Sequence, residues 1–247
     1  MSYSTKMMTN PLKGKKFTDL IVHEDEDFIV INKPPFVSTL EDRNDPQNIL
    51  SLARQYLEEA RVCHRLDKET SGLLVIAKHL DAYKYFSKLL EQRDVHKLYH
   101  AIVAGRHEID EEELDFPIYT SSTRSRVDPK QGKPSVTLVR TLHIYKAHTL
   151  LACMPFTGRM HQIRVHLAHV GLPIAGDDFY GGDPIYLSQI KKGYKTGKFV
   201  EEQPLIPRMA LHAQKLIFEA PGGEKLQLEA PYPKDFAATL NQFAKNL

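Results

Sequence analysis

The chain has 247 residues, 42% hydrophobic and 26% charged, a balance that excludes a disordered tail protein, a collagen-like repeat and a membrane-embedded chain. Its 33 Lys and Arg against 31 Asp and Glu leave a net charge of +2, so any nucleic-acid surface must be a local patch rather than a global excess. The two cysteines, Cys63 and Cys153, are too few for a disulfide framework or a zinc ribbon and fit a reducing compartment.

The opening MSYSTKMMTNPLKGKK has no signal-peptide core, and no later stretch approaches the roughly 20 apolar residues of a membrane span. A cytoplasmic location is therefore expected. Residues 1–18 read as a flexible basic leader and 19–247 as one domain, because no linker divides the rest. DLIVHEDEDFIVINKPP, from Asp19, predicts a β-hairpin around the acidic turn Glu24 to Asp27, ended by Pro34 and Pro35. Asp45 as N-cap, Pro46 at the first helical position, and Ile49, Leu52, Ala53, Tyr56, Leu57 and Ala60 at helical spacing predict a helix. CHRLDKETSGLLVIAK then sets charged residues and a Ser-Gly turn before a strand over Leu73 to Ala77.

Ala82, Tyr83, Phe86, Leu89 and Leu90 form the stripe of a second helix, followed by the strand KLYHAIVAG. After a polar loop from Ser121 to Pro134, Val136 to Tyr145 and Leu150 to Met154 predict a long antiparallel pair. TGRMHQIRVHLAHVGLP reads as a short helix capped at Thr157, with Met160, Ile163, Leu167 and Val170 on one face and Gly171 at its end. Strands over Gln214 to Glu219 and Lys225 to Leu228 precede a last helix bearing Phe236, Ala237, Leu240 and Phe243. Runs of strands with few helices between them predict α+β, a mixed, mostly antiparallel central sheet with flanking helices.

Functional groups concentrate in His64 to Thr70 and in Arg159 to His169. Asp67 fits two roles, a cap on backbone N–H groups of its turn or a carboxylate acting as nucleophile or base beside a guanidinium. Arg159, His161 and Arg164 suit phosphate or carboxylate contacts or a solvated helix face. His161, His166 and His169 lack the i, i+4 relation of a helical metal pair, and no metal is expected. Neither GxxxxGK[ST] nor GxGxxG occurs, so no nucleotide cofactor is indicated, and Ser71 lies in TSG rather than GxSxG. Two basic stretches, one with Arg124, Arg126, Lys130 and Lys133, the other with Lys191, Lys192 and Lys195 among tyrosines, read as RNA-contacting loops or as plain solvated surface.

HRLDKETSGLLVIAK, KLYHAIVAG, a loop ending GKPSVT, GRMHQIRVHLAHVGLPIAGDDFYGG and RMALHAQKLIF, in that order, resemble the signature set of the RluA-type pseudouridine synthases, from about Leu20 to Pro221. The resemblance implies a cofactor-free isomerisation in which the N1–C1′ bond of a uridine in RNA breaks, the uracil turns, and C5 joins C1′. It implies a central mixed sheet with a basic active-site cleft. By the same resemblance Asp67 of HRLD is the catalytic carboxylate, attacking C1′ or removing a C2′ proton, and Arg164 of HQIR pairs with it. Tyr99 of KLYHA stacks on uracil with its hydroxyl near C5, Arg65 contacts RNA around the extruded base, and Leu211 packs on the uracil.

His161 and Gln162 are expected to support the site structurally. The expected partner is ribosomal or transfer RNA, with no membrane and with a monomer sufficient. The chain departs from the family where KPPFVSTLEDRND replaces a KPAGL-like stretch followed by HP, and it shows no S4 domain ahead of the first strand. Contacts from the first loop are therefore not carried over, and the segment Ile185 to Val200 is the candidate RNA-gripping loop.

Overall fold

The computed structural model describes residues 12–41, 47–194 and 201–247. The predicted hairpin forms as β1 (Ile21–Glu24) and β2 (Phe28–Lys33), and α1 (Ile49–Tyr56) follows. Asn48 caps α1 by accepting the Ser51 N–H at 2.9 Å. The predicted cap at Asp45 and Pro46 lies outside the described residues, and the helix ends at Tyr56, before the predicted Ala60. Next come β3 (Arg61–Val62), β4 (Ser71–Ala77), α2 (Leu80–Gln92) and β5 (His96–Ala104), then β6 (Glu112–Asp115), β7 (Ile118–Thr120) and β8 (Ser125–Val127). The expected polar loop thus holds one arm of a small β7–β8 hairpin. β9 (Val136–Ile144) and β10 (His148–Pro155) pair antiparallel as predicted, followed by α3 (Gln162–His169), α4 (Leu187–Ile190), β11 (Leu211–Glu219), β12 (Lys225–Glu229) and α5 (Lys234–Lys245).

Ten strands build the main sheet among the described residues, in the order β1-β2-β4-β11-β5-β10-β9-β6, with β3 beside β4 and β12 beside β11. β4 and β11 run parallel, and the neighbouring pairs are antiparallel, which is the mixed α+β sheet the strand pattern implied. β2 and β4 are apolar on both faces because both faces are covered. Phe28, Val30, Leu73 and Val75 pack with Phe86 of α2, while Ile29, Ile31, Leu74 and Ile76 pack with Ile49 and Ala53 of α1. Leu12 and Phe17 join that second cluster. Within the expected leader these two apolar side chains thus find a core to cover, while residues 13–16 and 18 are exposed.

Ser71 and Gly72 also differ from the expected turn. They open β4, and Ser71 is buried with its Oγ 2.9 Å from His212 Nδ1. Gly72 has φ +114°, and a Cβ there would lie 2.2 Å from the Ala213 carbonyl oxygen; only glycine lets β4 approach β11 this closely. α3 begins at Gln162, after His161 at φ +57°. Thr157 does not cap it but donates its hydroxyl to Gln162 Oε1 at 2.7 Å. Gln162 in turn donates to the Val136 carbonyl at 2.9 Å and Thr137 Oγ1 at 3.0 Å, tying the loop before α3 to β9. No helix among the described residues is long and apolar enough to cross a membrane.

Candidate active site

Strand β11 joins the two halves of the site. Its Ala213 pairs with Gly72 of β4 on one side and with Tyr99 of β5 on the other. The loop carrying Asp67 leads into β4, and α3 with Arg164 follows β10, which is the next strand beyond β5. These elements enclose a cavity of about 410 Å³ lined by Arg65, Asp67, Tyr99, His161, Arg164 and Leu211, among others. Its volume falls within the range of small-ligand sites, roughly 300–1,000 Å³.

The Asp67 loop is fixed through its backbone. Thr39 Oγ1 donates to the Leu66 carbonyl at 2.9 Å and accepts the Leu66 N–H at 3.2 Å. Lys33 is wholly buried and donates to the carbonyls of Pro34, Val37 and Lys68 at 3.0, 2.9 and 3.1 Å. Burial, and then the charge of Arg208, push the Lys33 ammonium pKa down to about 7. The Asp67 carboxylate is thereby released from turn-capping: it accepts Arg164 Nη1 at 2.9 Å, and no backbone N–H reaches it among the described residues. Of the two roles left open for Asp67, the geometry matches the carboxylate paired with a guanidinium.

Arg164 is the hub. Its Nε and Nη2 donate to the two oxygens of Asp177 at 2.6 and 2.9 Å, and its guanidinium lies 4.9 Å from the Tyr180 ring centroid. The side chains of Arg164 and Asp177 are 11% and 2% exposed, against 22% for Asp67. Burial by itself favours loss of the Arg164 proton, but the hydrogen bonds and charge of Asp177, with those of Asp67, outweigh it and raise the pKa above its ordinary value. Bidentate anchoring leaves Nη1 aimed at Asp67.

His161 lies on the other side of the carboxylate, with Nε2 3.8 Å from Asp67 Oδ1. Its Nδ1 is 2.9 Å from the Tyr180 hydroxyl. That hydroxyl donates to the Ser125 carbonyl and accepts the Ser125 N–H, so His161 must donate from Nδ1, and its Nε2 lone pair then faces Asp67. Burial lowers the His161 pKa, opposed by the Asp67 charge, which favours this neutral form at pH 7. Tyr99 lines the cavity beside Asp67; burial, and then the Asp67 charge, raise its phenol pKa well above the ordinary value. Tyr99 is therefore a neutral phenol at any working pH.

Arg65 is exposed and Leu211 buried, and both line the cavity. Arg124 and Arg126 are exposed, Arg124 lying 5.2 Å from the Phe179 ring centroid and Arg126 bridging to Asp128 at 2.9 Å. Lys191 and Lys192 are exposed after α4 and take no part in the cavity lining, and Lys195 lies outside the described residues. Of the three histidines weighed as metal ligands, His166 meets Thr137 and the Phe116 carbonyl, His169 packs edge-on against the Phe116 ring, and His161 meets Tyr180. Both cysteines are buried, with thiol pKa values pushed up by burial to about 12.

Sequence reasoning missed the anchoring role of Asp177, which stands beside Asp178 in GDDFYGG. Two adjacent aspartates look alike until burial separates them; Asp177 is buried and Asp178 exposed. Tyr180, two residues after the exposed Asp178, was also missed, although its place in GDDFYGG was a signal.

Comparison with known proteins gives the family. A model of the RNA pseudouridylate synthase family matches residues 27–169. The chain belongs to this family and is an RNA pseudouridine synthase, an enzyme that isomerises uridine within RNA. Ribosomal large subunit pseudouridine synthase D of Haemophilus ducreyi is 36% identical over 228 residues, which cover 87% of this chain and 68% of that protein. Its namesake in Vibrio cholerae is 39% identical over 226 residues, with the same coverage of 87% and 68%. The solved structure of human RNA pseudouridylate synthase domain containing 4 superposes with a TM-score of 0.71 at 27% identity, covering 92% of this chain and 94% of that one.

Proposed function

We propose that the chain converts uridine to pseudouridine in ribosomal RNA, with Asp67 as the carboxylate acting on a flipped-out nucleotide. The observation that carries the reading is the Asp177–Arg164–Asp67 chain of ion pairs at the wall of a cavity whose other lining includes Tyr99 and Leu211. The names of the relatives from Haemophilus ducreyi and Vibrio cholerae favour large-subunit ribosomal RNA over transfer RNA. We infer further that the enzyme works in the cytoplasm and as a monomer.

In this reading the uracil lies between the Tyr99 ring and Leu211, and Arg65 meets RNA around the extruded base. Asp67 either attacks C1′ or takes the C2′ proton, and both routes break N1–C1′. The uracil turns and C5 bonds to C1′, displacing the Asp67 oxygen on the first route or with the C2′ proton returned from Asp67 on the second, and the C5 proton then leaves to water. Burial raises the Tyr99 phenol pKa, so Tyr99 enters the reaction as a neutral phenol that stacks on the uracil with its hydroxyl near C5. A hydrolytic alternative needs two free carboxylates flanking the bond, and Asp177 is committed to Arg164. Arg124, Arg126, Lys191, Lys192 and Lys195 extend the RNA contact outside the cavity.

The test uses unmodified large-subunit ribosomal RNA labelled with tritium at uracil C5. Wild type should release label and Asp67→Ala should not, while both bind the RNA alike. Release by Asp67→Ala at the wild-type rate refutes the assignment of Asp67; binding without release by wild type refutes this RNA as the substrate.

A further inference from the structure

The chain holds 11 phenylalanines and no tryptophan. Among the described residues only two of those phenylalanines are exposed, Phe156 at 41% and Phe179 at 44%, and both stand at the cavity. Phe156 lines it directly. Phe179 meets the cavity-lining His161 edge-on, with centroids 6.0 Å apart and planes at 81°, and it touches Tyr180 at 5.0 Å. The Arg124 guanidinium lies 5.2 Å from its ring centroid and that of Arg164 5.9 Å. A single exposed phenylalanine needs no explanation, but the restriction of exposed phenyl rings to the mouth of one cavity does. Local structure does not account for Phe156, whose backbone N–H bond to the Val136 carbonyl at 3.0 Å is open to any residue except proline.

We propose that Phe156 and Phe179 are stacking platforms for the unpaired bases that flank the target uridine. The inference rests on the reading of the cavity as a uridine pocket. Flipping one nucleotide strips its neighbours of a stacking partner, and an exposed aromatic face beside the pocket supplies a replacement that tolerates any base. Arg124 next to Phe179 adds a cation within reach of the phosphate that a stacked nucleotide carries. The two rings thus hold the strand on the outside while Asp67 and Arg164 meet the uridine inside.

Because the chain lacks tryptophan, Phe156→Trp and Phe179→Trp each install a sole indole reporter at an exposed position. Emission is titrated with an unmodified transcript of large-subunit ribosomal RNA, and binding is followed independently by anisotropy of the fluorescein-labelled transcript. Quenching that saturates with the anisotropy is expected for each variant. Phe156→Ala and Phe179→Ala should each raise KM about tenfold, with a much smaller change in kcat, and Phe→Tyr should rescue where Phe→Leu does not. Unchanged indole emission on RNA that anisotropy shows to be bound would overturn the proposal, as would wild-type KM in both alanine variants. Quenching by RNA from which wild type releases no tritium would keep the platforms and sink the choice of substrate, so the two failures are distinguishable.

Discussion

Asp177→Ala removes the anchor of Arg164 without touching a group that meets the substrate. The buried carboxylate accepts two charge-assisted bonds, at 2.6 and 2.9 Å, from a guanidinium that is only 11% exposed. Deleting one partner of a buried pair costs about 3–5 kcal/mol. Here Asp67 still neutralises part of the Arg164 charge, so the lower end, ~3 kcal/mol, is expected. With a urea slope of ~2–3 kcal/mol/M for a chain of this size, the unfolding midpoint should fall by ~1 M. The freed guanidinium no longer holds Asp67 in one position, and misplacement of about 1 Å costs on the order of 100-fold in rate. Single-turnover tritium release at low temperature, where the variant stays folded, reads that second effect separately. Asp177→Asn, which retains shape and one acceptor, should fall between wild type and Asp177→Ala in both measurements. A variant Asp177→Ala with wild-type midpoint and wild-type rate would refute the anchoring argument.

Acid should destabilise the fold through three histidines, His212 buried and His64 and His100 half-buried. Burial lowers the pKa of His64 to about 3 and of His100 and His212 to about 4, against about 6.5 in the unfolded chain. Between those values the unfolded state binds protons that the native state refuses, so this stability is complete above about pH 6.5 and is lost as pH falls toward 4. Urea midpoints should be flat from pH 7 to 8 and drop below 6.5, with an upper bound of ~4 kcal/mol per pH unit if all three act together; a flat midpoint down to pH 4.5 would contradict it. Gly72→Ala should cost about 3 kcal/mol or more by thermal unfolding, because its Cβ would meet the Ala213 backbone and its φ is positive. Phe86→Ala should cost about 3–5 kcal/mol, since it opens a cavity in the edge-to-face trio with Phe28 and Phe218, whose centroids lie 5.8 and 5.0 Å from that of Phe86.

Element type was legible wherever periodicity ran long. The apolar run of β2, the stripe of α2 and the β9–β10 pair all stand close to where their patterns put them. Helix starts were less legible, because several polar residues near each start offer a cap and only the loop path selects one. Asn48 caps α1, and α3 begins after a left-handed His161. Strand order was hidden altogether: a local pattern says that 211–219 is a strand but not that it lies between β4 and β5. Asp67 and Arg164 stand 97 positions apart, and only the resemblance of their motifs brought them together in advance. Asp177 and the two exposed phenylalanines stayed hidden because burial and exposure are properties of the assembled sheet.

The placement of β11 also sets a timetable for the enzyme's birth. Asp67 belongs to the β4 side and Tyr99 and Arg164 to the β5 side, and the strand that bridges the sides is translated after all three. At ~5–20 residues per second, a nascent chain carries its chemistry for several seconds before the halves can be stitched together. Until residues 211–219 clear the exit tunnel the cavity lacks Leu211 and the strand that joins its two sides. During that interval β5 offers an open edge where β11 will pair, the kind of surface a chaperone holds or a neighbouring nascent chain pairs with.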